Sequence, residues 1–168
     1  MMTLYFLRHG DAVESTALHD SERPLSELGQ HQGTVAGRFL RSLNASIGLI
    51  LASPLLRAQQ MAAAVRQEIG DVPLTTSEYL VASSDPRQIV EQLGRLSAQS
   101  VALVGHEPHL SKTISILISG SEVQCVEMKK GSLACLEVST PVGRVQGVLS
   151  WLLTAKQMGS SSTTTGTV

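Results

Sequence analysis

Two histidines and two arginines in this sequence have the types and positions needed for chemistry on a phosphoryl group. Each lies at or shortly after the end of a short apolar run: Arg8, His9, Arg57 and His106. Two guanidinium groups bind phosphoryl oxygens through forked hydrogen bonds. A neutral imidazole between them is a nucleophile, and a second, protonated imidazole would stabilise the transferring oxygens. These residue types therefore predict a phosphate pocket with a nucleophilic histidine.

The predicted reaction is phosphoryl transfer to His9, followed by hydrolysis of the phosphohistidine by water. Nearby cations and backbone donors should keep His9 neutral, because a further positive charge on its ring would be repelled. Taken alone, an Arg-His-Gly tripeptide is weak support, and an arginine at a helix start is usually a solvated surface residue. Three such segments at three successive strand ends favour one shared site.

The pattern of apolar runs predicts the elements that bring these residues together. Buried strands are predicted at 3–7, 47–52 and 101–104, with helices between them. Such alternation is typical of a largely parallel sheet with helices on both faces, and ligands bind at the carboxyl ends of its strands. Two later strands, 133–138 and 145–153, are joined by a turn at 141–143 and predict an antiparallel pair, so the sheet should be mixed.

Two helices are predicted to frame the site. The first spans 25–43, begins at the N-cap Ser26 and buries apolar residues at roughly helical spacing: Leu28, Val35, Phe39 and Leu43. The second begins at Pro54, with Ser53 capping the helix that presents Arg57. Residues 159–168 are Ser, Thr and Gly with a final Val, which predicts a disordered tail.

Composition argues against several classes of partner. The net charge of −1 argues against nucleic-acid binding. The sequence has no run of 18 apolar residues, so we expect no membrane span. Without a basic segment followed by a long apolar run at the N-terminus, we expect a cytoplasmic protein whose two cysteines are free thiols. The segment from His106 to His109 is one residue short of a zinc motif and contains a proline. We therefore expect no metal and no cofactor.

The candidate residues lie in longer motifs that resemble those of the histidine phosphatase superfamily, also called the phosphoglycerate mutase-like superfamily. The resembling segments are 7–10, 24–29, 53–58 and 104–106. Three further segments are similar to the small SixA-type phosphohistidine phosphatases: 105–111, 128–134 and 151–157. The resemblance covers about residues 3 to 158. It implies a three-layer α/β/α sandwich with a mainly parallel, mixed central sheet, formed by one domain over residues 1–158.

The resemblance also implies roles for individual residues. His9 is the phosphorylated nucleophile, and Arg8, Arg57 and His106 complete the phosphate pocket. Larger members of the superfamily have an acidic residue that protonates the leaving oxygen. Glu78 is the nearest candidate by position, and Asp85 and Glu107 are two others, although each is ordinarily a surface carboxylate.

The lack of a clearly placed acid bears on the substrate. A phosphoester must expel an alkoxide, which benefits from a general acid. A protonated phosphohistidine instead expels a neutral imidazole, whose conjugate acid has a pKa of about 6.5. The leading hypothesis is a metal-independent phosphohistidine phosphatase acting on a signalling or carrier protein. The alternatives are the same chemistry on a small phosphomonoester, and a phosphate-binding module without turnover.

Overall fold

The computed structural model of the protein describes residues 1–139 and 147–160. Six strands lie in these ranges: β1 (Met2–Arg8), β2 (Leu49–Ala52), β3 (Leu74–Thr76), β4 (Ser100–Gly105), β5 (Leu133–Val138) and β6 (Val148–Leu153). Five helices accompany them: α1 (Glu27–Ser42), α2 (Leu56–Ile69), α3 (Pro86–Gly94), α4 (His109–Ser119) and α5 (Ala155–Ser160). Short 3-10 helices span Asp20–Glu22 and Glu78–Leu80.

The strands form one mixed sheet in the order β3-β2-β4-β1-β5-β6. The first four strands in this order are parallel, while β5 runs antiparallel to β1 and to β6. In the register, Arg8 pairs with Gly105, and Val104 pairs with Ala52. The strands β1, β4 and β2 therefore end at nearly the same level, and the residues that follow them meet at one edge of the sheet.

Each face of the sheet carries a hydrophobic cluster covered by helices. One cluster joins the sheet to α1, α2 and α5, through Leu7, Leu40, Met61 and Met158. The other joins it to α3 and α4, through Phe6, Ile89 and Ile114. Adjacent residues of β1 thus enter different clusters, as the alternation of side chains along a strand requires. The predicted three-layer α/β/α architecture with a mixed sheet is confirmed.

The first helix starts where the sequence predicts but buries only part of the predicted apolar set. Ser26 is its N-cap and accepts a hydrogen bond from the backbone of Gly29. Val35 and Phe39 are partly buried and pack against the cluster on this side of the sheet, whereas the prediction is wrong for Leu28 and Leu43, which are exposed. The residues that α1 buries are smaller: Gly29, Gly33, Ala36, Gly37 and Leu40.

Close packing of α1 on α2 explains this difference. A Cβ atom added to Gly33 would lie 2.8 Å from the Cβ of Ala64, and one added to Gly37 would lie 2.7 Å from the Cβ of Glu68. Both distances are shorter than real carbon contacts. The contact between the two helices therefore selects glycine, which a search for large apolar residues does not detect.

Three other predicted boundaries change or fall outside the described residues. Helix α2 begins at Leu56 and not at Pro54, and its N-cap, Leu55, makes no side-chain capping bond. The predicted turn at 141–143 lies outside the described residues, as do residues 161–168 of the predicted tail. The preceding two residues of that tail belong to α5, which extends to Ser160.

Among the described residues, no helix combines the length and the apolar character needed to cross a membrane.

Candidate active site

Three of the predicted residues converge at the edge of the sheet where β1, β2 and β4 end. The ring centroids of His9 and His106 are 5.0 Å apart. Nε of Arg57, the second residue of α2, donates to Nε2 of His9 at 3.3 Å. These residues are nearly inaccessible, with exposed fractions of 7% for His9, 8% for Arg57 and 3% for His106, each taken over the whole residue. The structure therefore brings together three groups that lie far apart in the sequence.

The surroundings of His9 keep its ring neutral and leave Nε2 without a proton. Nδ1 lies 2.7 Å from the carbonyl oxygen of Gly10, which only accepts hydrogen bonds, so Nδ1 carries the proton. The pKa of His9 is lowered to about 4, chiefly by burial; the Gly10 bond opposes this shift, and the charges of Arg57, Arg8 and Lys130 add to it. At neutral pH the lone pair on Nε2 is thus available as a nucleophile. Burial, more than the nearby cations named in the prediction, is the largest cause of the lowered pKa that keeps His9 neutral.

The loop that follows His9 is held against the first turn of α1. A Cβ atom added to Gly29 would lie 2.0 Å from the backbone oxygen of Asp11, so this contact requires glycine. The Ser26 hydroxyl donates to the Asp11 carboxylate at 2.7 Å, and Nζ of Lys130 approaches the other carboxylate oxygen at 3.1 Å. The motif at 24–29 therefore fixes the backbone next to the nucleophile.

Arg57 is oriented by Asp20, a residue that the sequence did not single out. Nη1 of Arg57 donates to the backbone oxygen of Asp20 at 2.7 Å, and Nη2 donates to its carboxylate at 3.0 Å. Arg23 binds the other carboxylate oxygen at 3.0 Å. The Arg57 hydrogen bond lowers the pKa of Asp20 from its ordinary value, and Arg23 adds to this effect. Asp20 lies in the polar segment before Pro24, where neither spacing nor periodicity distinguishes it from its neighbours.

Arg8 is anchored by the segment that precedes β5. Its Nη1 donates to the backbone oxygen of Met128 at 2.8 Å, while its Nε is buried and has no hydrogen-bond partner among the described residues. The backbone of Gly131 donates to the carbonyl of His9 at 3.1 Å. The motif at 128–134 thus holds both Arg8 and His9 in place.

The surroundings of His106 correct the predicted role of Ser53. Nε2 of His106 lies 2.7 Å from the hydroxyl of Ser53, which is fully buried. Ser53 therefore contacts the second histidine and is not the N-cap of α2. Burial, followed by the proximity of His9 and Arg57, lowers the pKa of His106 to about 3. The predicted protonated form concerns a ring beside a transferring phosphoryl group, whose negative charge would favour that form by attraction.

Two of the three candidate general acids have structural roles. The carboxylate of Asp85 accepts the backbone N–H of Arg87 at 2.9 Å and caps α3. The carboxylate of Glu107 accepts the backbone N–H of Ser111 at 3.1 Å, together with the Ser111 hydroxyl, in the first turn of α4. Glu78 is exposed and lies just after Ser77, whose backbone bonds to Ala52 at the end of β2. Glu78 stays a candidate, at the same edge of the sheet as His9.

Within residues 1–139 and 147–160, no cluster of three or more histidine, cysteine or carboxylate side chains is arranged to hold a metal ion. His109, which sequence spacing relates to His106, is buried, and neither of its ring nitrogens has a hydrogen-bond partner among the described residues. Burial lowers its pKa to about 4. It is a neutral histidine of the interior.

Comparison with known proteins agrees with this geometry. Residues 4–81 match the model of the histidine phosphatase superfamily, branch 1. An uncharacterized protein of Picosynechococcus sp. is 30% identical over 137 residues, which cover 79% of this chain and 82% of the relative. The phosphohistidine phosphatase SixA of Escherichia coli is 28% identical over 127 residues, which cover 71% of this chain and 76% of that protein.

Solved structures share the fold. The structure of the protein histidine phosphatase SixA complexed with tungstate has a TM-score of 0.83 and 23% identity, covering 92% of this chain and 98% of its own. The alpha-ribazole phosphatase of Shigella flexneri has a TM-score of 0.72 and 18% identity, covering 92% of this chain and 97% of its own. At these identities, the similarity extends to the architecture and does not identify a substrate.

Proposed function

The chain belongs to the histidine phosphatase superfamily and is a phosphatase, and from that premise we propose that it removes phosphate from phosphohistidine on a signalling or carrier protein. The named relative from Escherichia coli supports this choice of substrate, since it is a phosphohistidine phosphatase by name. We propose His9, Arg8, Arg57 and His106 as the residues of the reaction.

One observation carries the choice of substrate. Among the described residues, the carboxylate that bonds to the His9–Arg57 pair is Asp20, and its lowered pKa makes it an ionised group and not an acid. A group that has already lost its proton does not protonate an alkoxide leaving group. A phosphohistidine protonated on its other ring nitrogen needs no such donor, because it leaves as a neutral imidazole.

The geometry supports a two-step displacement. Nε2 of His9 attacks phosphorus, the P–N bond of the substrate breaks, and its electron pair goes to the departing ring nitrogen. The positive charge that forms on the His9 ring is stabilised by the bond from Nδ1–H to the Gly10 carbonyl. In this proposal Arg8, Arg57 and His106 bind the transferring oxygens. Water then attacks the phosphorus, the bond from phosphorus to Nε2 breaks with its electron pair returning to the His9 ring, and inorganic phosphate leaves.

A small phosphomonoester remains the second candidate substrate because of Glu78. This exposed carboxyl group follows β3 and lies at the edge of the sheet that contains His9. If Glu78 reached a bound substrate in protonated form, it would supply the acid that an ester needs.

We further propose that residues 1–158 act as one catalytic domain, and that it works in the cytoplasm. The described cysteines, Cys125 and Cys135, are both free thiols, as expected in a reducing compartment.

The test compares three leaving groups. We would measure kcat/KM in the presence of EDTA for a phosphohistidine protein, nitrophenyl phosphate and an alkyl phosphate, using wild type and Glu78→Gln. We expect phosphohistidine to be cleaved fastest and the alkyl ester slowest, by orders of magnitude, because each tenfold step is about 1.4 kcal/mol of barrier. Equal cleavage of the alkyl ester, lost specifically in Glu78→Gln, would replace this proposal with a phosphomonoesterase. Loss of activity in EDTA would contradict the metal-independent mechanism.

A further inference from the structure

We propose that Asp20 is a specificity-determining residue whose carboxylate accepts the N–H of the leaving imidazole, on the ring nitrogen opposite the phosphorylated one. This inference rests on the proposed function. It assigns the enzyme's preference for a phosphorylated imidazole to a residue other than the four proposed for the phosphate pocket.

The position of Asp20 suits contact with a leaving group. It begins the short 3-10 helix Asp20–Glu22, and its carboxylate is linked to the nucleophilic nitrogen through a single guanidinium group, that of Arg57. The side chain of Asp20 is 59% exposed, whereas that of Arg57 is 10% exposed. The carboxylate is therefore the more accessible partner of this ion pair, so a substrate bound at the site can reach it.

The carboxylate also has unused capacity to accept hydrogen bonds. Among the described residues, one oxygen binds Arg57 and the other binds Arg23. A carboxylate has about four acceptor positions in all, so an approaching N–H finds a free lone pair. The two arginines hold the group in one orientation, which lowers the entropy lost when the substrate binds.

The charge of Asp20 discriminates between leaving groups. A phosphorylated imidazole protonated on its second nitrogen is a cation, and a hydrogen bond to an anion stabilises it in that form. When the P–N bond breaks, its electron pair stays on the departing nitrogen. The ring becomes neutral and keeps its proton on the nitrogen bound to Asp20. An ester oxygen has no such proton and gains nothing from this anion.

A purely positioning role for Asp20 makes a different prediction. If the carboxylate only oriented Arg57, its removal would weaken transition-state binding for every phosphoryl donor by the same factor. The ratio of kcat/KM between two donors then stays constant. A change in that ratio is therefore the quantity that separates recognition of the leaving group from orientation of the arginine.

The experiment uses phosphoimidazole and nitrophenyl phosphate with wild type, Asp20→Asn, Asp20→Ala and the control Glu22→Gln. Glu22 is an exposed carboxylate in the same 3-10 helix, so the control removes the same charge from the same segment. We expect both Asp20 variants to lose about 10- to 100-fold more kcat/KM on phosphoimidazole than on nitrophenyl phosphate, as for a hydrogen bond to a charged group. Glu22→Gln should leave the ratio within about twofold of wild type.

Two results would overturn the inference, and they are distinguishable. Equal losses on both donors in the Asp20 variants would reduce Asp20 to a positioning residue for Arg57, with the proposed function still standing. A wild-type enzyme that prefers nitrophenyl phosphate over both phosphoimidazole and a phosphohistidine protein would remove the proposed function and this inference together. The melting temperature of each variant shows that the comparison is made between folded proteins, and the two Asp20 variants provide independent measurements.

Discussion

The reactivity of His9 depends on its surroundings more than on its residue type. Burial and three neighbouring cations keep the ring neutral, while the Gly10 carbonyl determines which nitrogen is free. Arg57 donates to that free nitrogen in the absence of a phosphoryl group. A phosphoryl oxygen bound at this site would compete with His9 for the same guanidinium.

Replacement of His9 by alanine should abolish turnover and leave the fold intact. Among the described residues the ring bonds to the adjacent Gly10 carbonyl and to Arg57, and it belongs to neither hydrophobic cluster of the core, so its loss removes no core packing. We expect a rate loss of more than about 10³-fold and no acid-labile phosphoenzyme after incubation with a radioactive phosphoryl donor. His31→Ala, at an exposed histidine, is the control and should retain both. Phosphate release by His9→Ala at the wild-type rate would exclude His9 as the nucleophile.

Arg57→Ala should cost about 3 to 4 kcal/mol of transition-state stabilisation, or roughly 10²- to 10³-fold in kcat/KM, as for loss of an oxyanion donor. The reason is that Arg57 donates to Nε2 of His9, the proposed nucleophile, and is proposed to bind the transferring oxygens. Arg66→Ala is a matched control on the same helix, since Arg66 is more exposed and pairs with Asp71. An unchanged kcat/KM for Arg57→Ala would place this arginine outside the reaction.

At the scale of elements, the site is built where strand ends meet helix starts. Helix α1 supports the loop after β1, and α2 carries Arg57 in its first turn. The contact between Gly29 and the backbone of Asp11 joins α1 to the loop after β1 without any side chain between them. The position of the nucleophile therefore depends on a residue that has no functional group of its own.

Gly29→Ala should destabilise the protein by about 2 to 3 kcal/mol and lower kcat/KM at least tenfold. In an isolated helix the same change would be stabilising by about 1 kcal/mol, because alanine favours helix. Here the new methyl group would overlap the Asp11 oxygen and push the loop away from Arg57. Urea unfolding and steady-state kinetics measure the two effects.

Gly48→Ala is the control for this substitution. A Cβ atom added there would lie 3.4 Å from the nearest atom, the backbone oxygen of Ser100. We expect a stability change within about 0.5 kcal/mol and unchanged kinetics. Similar behaviour of the two variants would mean that the loop after His9 is not held by α1.

The whole molecule buries three histidines in neutral form, and this burial links its stability to pH. The pKa values of His9 and His109 fall to about 4, and that of His106 falls to about 3, with burial as the largest cause in each case. In the unfolded chain these groups would titrate near pH 6.5. Between these values the unfolded state binds more protons than the native state does, so stability falls as the pH decreases.

His109 gives the clearest measurement of this effect because it lies outside the reaction. The stability linked to this group is fully present above pH 6.5 and is lost as the pH falls towards 4. Lowering the pH from about 7.5 to about 5 should therefore decrease the free energy of unfolding by about 2 kcal/mol through His109. The variant His109→Leu cannot titrate, so its unfolding free energy should decrease by about 2 kcal/mol less than that of wild type over the same range. Urea unfolding at both pH values checks this. Equal decreases for the two proteins would show that His109 is already solvated in the native state.

Several features could be read from the sequence because they are local. The apolar runs predicted β1, β2, β4 and β5, the cap of α1 was visible at Ser26, and the four proposed site residues stood out because each lies at a strand end or shortly after one. Features that depend on contacts between distant segments could not be read in this way. The buried face of α1 consists of small residues, and its selection by α2 leaves no large apolar period to detect.

The order of strands and helices, and the residue types available for phosphoryl chemistry, could be predicted from the residues alone, since both depend on short-range propensity and chemical identity. The position of β4 between β1 and β2, which brings His9, His106 and Ser53 together at one edge, follows from how the chain packs. Packing also places Asp20 on Arg57, across 37 positions of the chain, and surrounds the histidines closely enough to keep them neutral. Contacts and burial of this kind arise only when the chain packs, because they depend on which groups exclude water from which others.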